Sequence, residues 1–195
     1  MDCKAFTLLE LLIVIAIAVI IAGGLVPLFS VTKQDAKVAK ALSMADALKD
    51  ACMRYYFDTG QLAREFGIIL VSDPAQDRQL SFDPGISGWS GPYISHALEM
   101  SDNPFDSGGA FGLEAFGVYR ENSIIFDFDG NGSDDNQSGN YCNHFSFNVN
   151  SEATAKKIND ALDRGIAGNW MTTGKVEYDS VTGVCRIYLF SARLQ

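Results

Sequence analysis

The order of hydrophobic and polar residues separates an apolar N-terminal run from a mixed remainder. From Phe6 to Phe29 nearly every residue is apolar, Glu10 carries the charge within this run, and the next charged residue is Lys33. As an α-helix the run would be roughly 36 Å long, which exceeds the roughly 30 Å of a bilayer's hydrocarbon core. The pattern therefore predicts a membrane-spanning helix over residues 6–29.

A cleaved secretory signal is the alternative interpretation of this run. The triplet Ala16-Ile17-Ala18 offers small residues at the spacing of a cleavage site. A signal's apolar core is short and ends in a polar region, whereas here the apolar run continues for several turns. The residues ahead of it, Met1 to Lys4, hold one cation and one anion, which is a weak basic start. These features favour a retained helix.

Beyond the apolar run, the spacing becomes that of an amphipathic helix. Apolar residues at i, i+3, i+4 and i+7 predict that one helix continues to about Phe57 and packs on a domain through its second half. These positions are Val38, Leu42, Ala45, Leu48, Cys52 and Tyr55. Asp58-Thr59-Gly60 supplies a stop signal, and a loop-rich stretch follows over residues 61–107.

The C-terminal half carries the pattern of strands with one short helix. Residues 118–128 and 144–148 predict strands, and residues 151–165 predict a helix with Ser151 as its cap. Residues 174–179 and 183–190 predict a hairpin. The predicted fold class is therefore α+β, with a long N-terminal helix packed on a small antiparallel sheet.

An acidic stretch near the middle of the chain is a candidate metal site. Oxygen-bearing residues alternate at the first, third and fifth positions, with glycine at the sixth, as at the start of a calcium loop. The candidate ligands are Asp127, Asp129, Asn131, Asp134 and Asp135. Ser138 stands where an EF-hand has its closing Glu, so a loop-type site is expected instead. The alternative is an acidic surface turn, but four carboxylates repel one another without a cation, which favours a structural Ca²⁺.

Composition excludes several function classes. The net charge is −9, which argues against a duplex-binding surface, so no nucleic-acid partner is expected. The two histidines, His96 and His144, stand apart and outside any nucleophile motif. We therefore expect a structural protein and not an enzyme.

The stretch Phe6-Thr7-Leu8-Leu9-Glu10-Leu11-Leu12-Ile13-Val14, after a short leader, resembles the N-terminus of the type IV pilin and type II secretion pseudopilin superfamily. The resemblance implies that a prepilin peptidase cuts between Ala5 and Phe6 and methylates the new amine. It also implies that Glu10 meets the amine of a neighbouring subunit in a filament, although a carboxylate in a first helical turn is favourable on its own. Pro27 occupies a position where many pilins carry a helix-disrupting proline. With Gly23-Gly24 ahead of it, a kinked or locally melted stretch is expected.

The resemblance divides the chain into three parts. These are a leader over residues 1–5, a transmembrane and filament-core helix over residues 6–29, and an exported pilin domain over residues 30–195. The segment Trp89-Ser90-Gly91-Pro92-Tyr93 is similar to a Trp-x-Gly-Pro-Tyr segment of major pseudopilins, which also carry calcium in an Asp-rich loop. The alternative interpretation of this segment is a tryptophan anchored in a turn.

Three cysteines remain after the leader. An exported domain lies in an oxidising compartment, and Cys142 and Cys185 both flank strand-like runs, so a disulfide between them is predicted. Cys52 lies on the apolar face of the long helix and is expected to be buried and free.

The resemblance implies a structural subunit of a type IV pilus or similar filament. Its partners would be identical or related pilin subunits, the prepilin peptidase and an inner-membrane assembly platform. It would reside in the bacterial inner membrane before assembly and then in a periplasmic or cell-surface filament. The alternatives are a type II secretion pseudopilin and a membrane-anchored binding domain that never polymerises.

Overall fold

The computed structural model describes residues 8–68, 74–105, 116–121, 126–133, 135, 141–149 and 151–191, apart from the side chains of residues 20–32. The chain divides into two compact units, Met1–Lys37 and Val38–Gln195. The predicted processing site at Ala5 and Phe6 lies outside the described residues.

A single α-helix, α1, runs from Leu8 to Thr59. The predicted long helix is therefore confirmed, with its C-terminal end two residues beyond the expected position. The helix is uninterrupted at Gly23, Gly24 and Pro27, so the expected local melting is wrong, whereas a kink at this point stays a prediction.

The end of α1 follows the predicted stop signal. The Thr59 hydroxyl donates to the Tyr55 carbonyl at 2.7 Å, and the Gly60 N–H donates to the Tyr56 carbonyl at 2.8 Å. Gly60 has φ of +70°, a left-handed conformation that glycine adopts without a steric penalty. These two bonds satisfy carbonyls of the last helical turn and direct the chain away from the axis.

The second unit holds a five-stranded sheet. The strands are β1 (Glu65–Phe66), β2 (Phe116–Glu121), β3 (Cys142–Asn148), β4 (Val176–Asp179) and β5 (Val184–Ser191). Their order is β1-β2-β3-β5-β4, and every neighbouring pair is antiparallel. The remaining elements are α2 (Pro74–Asp77), a short 3₁₀ helix (Met100–Asp102) and α3 (Glu152–Leu162). The predicted α+β class with a long N-terminal helix is confirmed.

The C-terminal predictions agree closely with the observed elements. Ser151 caps α3, and its side chain accepts a hydrogen bond from the Thr154 N–H at 3.3 Å. The predicted hairpin is formed by β4 and β5. Of the strand predicted over residues 118–128, residues 118–121 belong to β2, residues 122–125 lie outside the described residues, and Phe126 belongs to the acidic turn.

The central strand β3 is buried on both of its faces. Phe145 and Phe147 point to one side and join the same hydrophobic core as Leu48 and Tyr55 of α1. Because successive side chains of a strand alternate, His144 points to the other side, where the rings of Tyr119 and Phe126 lie against it at 5.6 and 6.4 Å. A second layer of chain therefore covers the side of the sheet opposite to the packed half of α1.

Glu65 in β1 is a fully buried carboxylate that holds the following loops. Its Oε2 atom accepts the N–H groups of Leu80 at 3.0 Å and Ser81 at 3.2 Å. Its Oε1 atom accepts the Ser81 hydroxyl at 2.7 Å and the Leu98 N–H at 3.3 Å. Burial raises the pKa of this carboxyl, and the four hydrogen bonds oppose that rise. One side chain thus anchors two separate parts of the loop-rich region.

The cysteine prediction is corrected by the strand register. Cys142 lies opposite Ser191, whereas Cys185 lies opposite Phe147, five positions further along β3. At about 3.3 Å per residue this separates the two cysteines by roughly 16 Å, far beyond the Cα separation of a disulfide, which is at most about 6.8 Å. Cys52, Cys142 and Cys185 are all buried, and none of them forms a disulfide. The prediction for Cys52 is confirmed.

Candidate functional site

The first described turns of α1 present an apolar surface around one carboxylate. Large apolar side chains from Leu8 to Val19 are between 49 % and 81 % exposed. Glu10 lies among them and is also exposed. Monomeric soluble proteins rarely leave a continuous apolar surface uncovered, so this part of α1 is a candidate contact surface.

Within the part of the chain that the structure describes, no helix combines the length and hydropathy needed to cross a membrane. The membrane-spanning helix expected over residues 6–29 extends beyond the described side chains and stays a prediction.

The acidic turn brings together three of the five predicted metal ligands. Carboxylate oxygens of Asp127, Asp129 and Asp135 all lie within 4.8 Å of one another. Asp127 is buried, whereas Asp129 and Asp135 are exposed. Asn131 hydrogen-bonds to Asp129 in the same turn, and Asp134 lies outside the described residues.

The turn is held in shape by its own acidic side chains. The two oxygens of Asp127 accept the N–H groups of Gly130 and Gly132, each at 2.9 Å. Asp135 Oδ2 accepts the N–H groups of Phe128 at 2.8 Å and Asp129 at 3.2 Å. Such bonds from Asp to backbone amides two to seven residues away are what fold a short polar segment without a core.

Asn131, the predicted fifth-position ligand, forms two hydrogen bonds within the turn. Its Nδ2 atom donates to Asp129 Oδ2 at 2.8 Å, and its Oδ1 atom accepts the Ser133 N–H at 2.7 Å. The amide oxygen accepts one hydrogen bond and keeps a second acceptor position, so its role as a metal ligand stays a prediction.

Aromatic side chains attach the acidic turn to the sheet. Phe126 is fully buried and lies edge-on to Tyr188 at 5.4 Å, and Phe128 lies edge-on to the same ring at 4.8 Å. The Asp127 carbonyl also accepts the Gly174 N–H at 2.6 Å. The three carboxylates are thus positioned by contacts on the sheet side of the turn.

The residues fit a calcium ion in chemistry and in spacing. Calcium prefers carboxylate and carbonyl oxygens at about 2.3–2.6 Å, so opposite ligands lie about 5 Å apart. The observed limit of 4.8 Å between the carboxylate oxygens is compatible with one shared cation. An ionised carboxylate has about four acceptor positions, so each of these groups keeps capacity beyond its bonds to the turn.

The Trp89 segment packs at the end of α1. The Trp89 indole N–H donates to the Gln79 carbonyl at 3.0 Å, and its ring lies perpendicular to that of Tyr93 at 5.9 Å. Ser90 and Tyr93 donate their hydroxyl protons to one oxygen of Asp58, at 2.5 and 2.8 Å. These two bonds lower the pKa of Asp58. The segment therefore anchors a turn to the helix, which is the simpler of the two interpretations of its sequence.

His144 is held neutral inside the sheet. Burial, together with the nearby charge of Arg186, lowers its pKa to about 3. The structure therefore uses this histidine as a packing residue between Tyr119 and Phe126.

Comparison with known proteins supports the N-terminal interpretation. Residues 1–26 match the family model of the prokaryotic N-terminal methylation motif. The type IV major pilin protein PilE1 of Neisseria gonorrhoeae is 35 % identical over 74 residues, which cover 38 % of this chain and 45 % of that protein. No solved structure matches the chain significantly.

The motif and the relative therefore both show similarity to type IV pilins and related proteins of the pilin and pseudopilin superfamily. The chain spans less than half the length of the curated relative that it matches. The observed long helix and small antiparallel sheet agree with a pilin-like fold.

Two features of the site region were absent from the sequence predictions. Glu65 was not singled out, although a glutamate between Ala63 and Phe66 in a segment of mainly apolar residues is a signal for a buried, hydrogen-bonded carboxylate. The anchoring of the acidic turn by Phe126 and Phe128 was also missed. The predicted strand over residues 118–128 includes both phenylalanines, whereas the structure places them on the buried side of a turn.

Proposed function

We propose that this chain is a structural subunit of a type IV pilus or pilus-like filament. The observation that carries the proposal is the apolar surface of α1 around Glu10, supported by the methylation motif that ends within this helix. The helix would be inserted in the bacterial inner membrane before assembly and would be drawn from there by an assembly platform. It would then pack against the helices of identical or related subunits.

In this mechanism the prepilin peptidase removes residues 1–5 and leaves a methylated amine on Phe6. Glu10, one turn along the helix, would pair with that amine on a neighbouring subunit. An ionised carboxylate among apolar side chains is unfavourable by about 2.5–3.5 kcal/mol at the centre of a membrane helix. An amine of opposite charge offsets this cost only where it lies next to the carboxylate, so one axial offset between neighbouring helices is favoured over others. Glu10 would therefore set the register of the helical bundle.

Replacing Glu10 by alanine is expected to abolish filament assembly while leaving the subunit in the membrane. The reason is that the neighbour's amine loses the carboxylate that neutralises it inside the helix bundle. The measurement is the amount of this subunit in filaments sheared from cells, relative to the amount in the membrane fraction.

Asp46→Ala is the matched control, because Asp46 is an exposed carboxylate on the second half of the same helix. It should assemble at the wild-type level. The mass of both variants must first show a chain that begins at methylated Phe6, which separates failed assembly from failed processing. Normal filaments from Glu10→Ala would contradict the proposal and leave a non-polymerising membrane-anchored domain.

A type II secretion pseudopilin is the second candidate function. The anchored Trp89 segment and the acidic turn favour it, because both resemble features of major pseudopilins. Deletion of the subunit separates the two. Loss of surface pili with normal export would indicate a pilin, and retained export substrates in the periplasm would indicate a pseudopilin.

We also propose that the acidic turn binds a structural Ca²⁺ through Asp127, Asp129 and Asp135. The ion would neutralise three carboxylates held within 4.8 Å and would order a turn built mainly from polar residues. Asp134 and Asn131, the other two residues in the sequence-based set, are not needed for this three-carboxylate arrangement.

Calcium is expected to raise the unfolding temperature of the full chain in non-ionic detergent, and excess EGTA should reverse the increase. At a calcium concentration 100 times the dissociation constant, linkage predicts stabilisation by about 2.7 kcal/mol. Asp129→Asn should remove most of this increase, whereas Asp160→Asn, a change at an exposed carboxylate of α3, should keep it. An equal calcium effect in Asp129→Asn and wild type would rule out this site.

A further inference from the structure

A cavity of about 400 Å³ opens where α1 ends beside the sheet. It is lined by residues from the end of α1, the segment that follows it, β2 and the start of β3. Four of the lining side chains carry a charge or an aromatic ring, namely Tyr56, Arg64, Arg120 and Tyr141. All lie within the second compact unit. The volume is in the range of sites that hold small organic ligands, about 300–1,000 Å³.

Two guanidinium groups share this cavity. Arg64 and Arg120 are both half-buried, and burial together with the charge of Arg64 lowers the pKa of Arg120. Arg120 donates one long hydrogen bond, 3.5 Å, to the Leu62 carbonyl. Among the residues that the structure describes, neither guanidinium forms an ion pair. Two like charges are thus held together on a protein whose net charge is −9.

The acidic residues nearest in sequence are directed elsewhere. Asp58 accepts hydrogen bonds from Ser90 and Tyr93, and Glu65 is buried with four donors of its own. Among the described residues, these two carboxylates are thus engaged by other donors, and an anion from outside would complete the arginine pair.

Two tyrosine side chains also line the cavity. Tyr56 is half-buried, and Tyr141 is 42 % exposed although it directly precedes the fully buried strand β3. Tyrosine rings offer flat apolar faces with a hydroxyl at the edge, which suits contact with a ring that also carries a polar group. A guanidinium presents five donors in a planar fork that matches a carboxylate.

We propose that this cavity binds a small organic anion, with its carboxylate held by Arg64 and Arg120 and its ring against Tyr56 and Tyr141. The binding site is separate from the acidic turn and from the apolar surface around Glu10. The site shares no residue with those two surfaces, and it goes beyond the proposed structural function.

Benzoate is the probe for this site, since it joins a carboxylate to a flat ring. Titration of the full chain in non-ionic detergent, followed by calorimetry and by NMR signals of the arginine side chains, should show saturable binding. Arg64→Gln/Arg120→Gln should weaken binding at least about tenfold, because both charge-assisted contacts are removed. Arg164→Gln, a change at an exposed arginine beyond the end of α3, should bind benzoate as the wild type does.

Two further ligands test the carboxylate contact and the ring contact separately. Benzamide, which has the same ring and no charge, should bind at least tenfold more weakly than benzoate. Inorganic phosphate should also bind more weakly, because it gains nothing from the tyrosines, and phosphate binding as tight as that of benzoate would overturn the proposed ring contact. Absence of saturable benzoate binding to the wild type would overturn the whole proposal.

Tyr141→Ala keeps the test decisive if the double arginine variant does not fold. Tyr141 is substantially exposed, so its truncation should leave the unfolding temperature nearly unchanged. The variant should lower benzoate affinity severalfold. Unchanged affinity in this folded variant would contradict the proposed role of the tyrosines.

Discussion

Replacing Glu65 by alanine is expected to lower the free energy of unfolding by about 3–5 kcal/mol, because several buried donors lose their acceptor at once. The N–H groups of Leu80, Ser81 and Leu98 and the Ser81 hydroxyl all bond to this carboxylate. A buried donor left without a partner costs about 1–3 kcal/mol. The measurement is urea unfolding of the full chain in non-ionic detergent, followed by tryptophan fluorescence. Trp89 is a suitable reporter because its indole is bonded to the same loop at Gln79.

The free energy of unfolding of Glu65→Gln should lie between those of Glu65→Ala and the wild type. The amide keeps one acceptor oxygen but turns an NH₂ group toward atoms that are themselves donors. Glu152→Ala, which removes an exposed glutamate at the start of α3, is the control and should change the stability by no more than about 1 kcal/mol. Equal unfolding midpoints for Glu65→Ala and wild type would show that Glu65 does not hold these loops together.

Gly130→Ala should destabilise the acidic turn far more than Gly132→Ala. Both glycines have positive φ, +75° and +79°, so alanine at either position carries a conformational penalty of about 1–2 kcal/mol. Only at Gly130 would the added Cβ collide with backbone, namely the Ala167 carbonyl, whereas at Gly132 the space is open. The turn would have to move away from the 167–173 segment, and overpacking of this kind adds about 1–3 kcal/mol.

The Gly132 variant is thus a matched control for the steric part of the Gly130 effect. Thermal unfolding of both variants, with and without calcium, is the measurement. The Gly130 variant should lose both stability and calcium dependence, because Asp127 and Asp129 shift together with the turn. Indistinguishable unfolding temperatures would mean that the contact with Ala167 does not hold the turn in place.

Elements with a regular local period were predictable from the sequence. The second half of α1 shows its 3.6-residue pattern from Val38 to Tyr55, and the hairpin β4–β5 shows its alternation of apolar and polar residues. The Ser151 cap follows from a local hydrogen bond that a Ser makes within its own helical turn. Each of these depends on residues close in sequence, which is why the pattern suffices.

Features that depend on long-range register were not predictable. Cys142 and Cys185 lie on adjacent strands, yet antiparallel pairing places them at different heights along the sheet. The two-residue strand β1 is too short to show an alternation, so Glu65 fell within a predicted loop. Arg64 and Arg120 come together only because β1 pairs with β2, and neither arginine belongs to a motif.

The candidate metal site was predictable from the sequence only in part. Its spacing identified Asp127, Asp129 and Asn131 in advance and left either Asp134 or Asp135 as the closing ligand, because a turn of this length must bring such side chains close together. The sequence could not show that the Asn131 amide would donate a hydrogen bond to Asp129. Whether an amide acts as a ligand or as a donor depends on its orientation, which the turn determines only once it has folded.

Both edge strands of the sheet are very short, which limits edge-to-edge pairing between neighbouring copies of the domain. The edge strand β1 has two residues and is bridged at Glu65 to Arg78, and the edge strand β4 has four residues. An exposed edge recruits another chain by offering a row of unpaired N–H and C=O groups, and edges of this length offer little of such a template. Neighbouring domains would therefore gain little from continuing one another's sheets. Closely packed copies of this domain should therefore resist amyloid-like aggregation through their sheet edges. A subunit could enter or leave such an assembly without strand exchange.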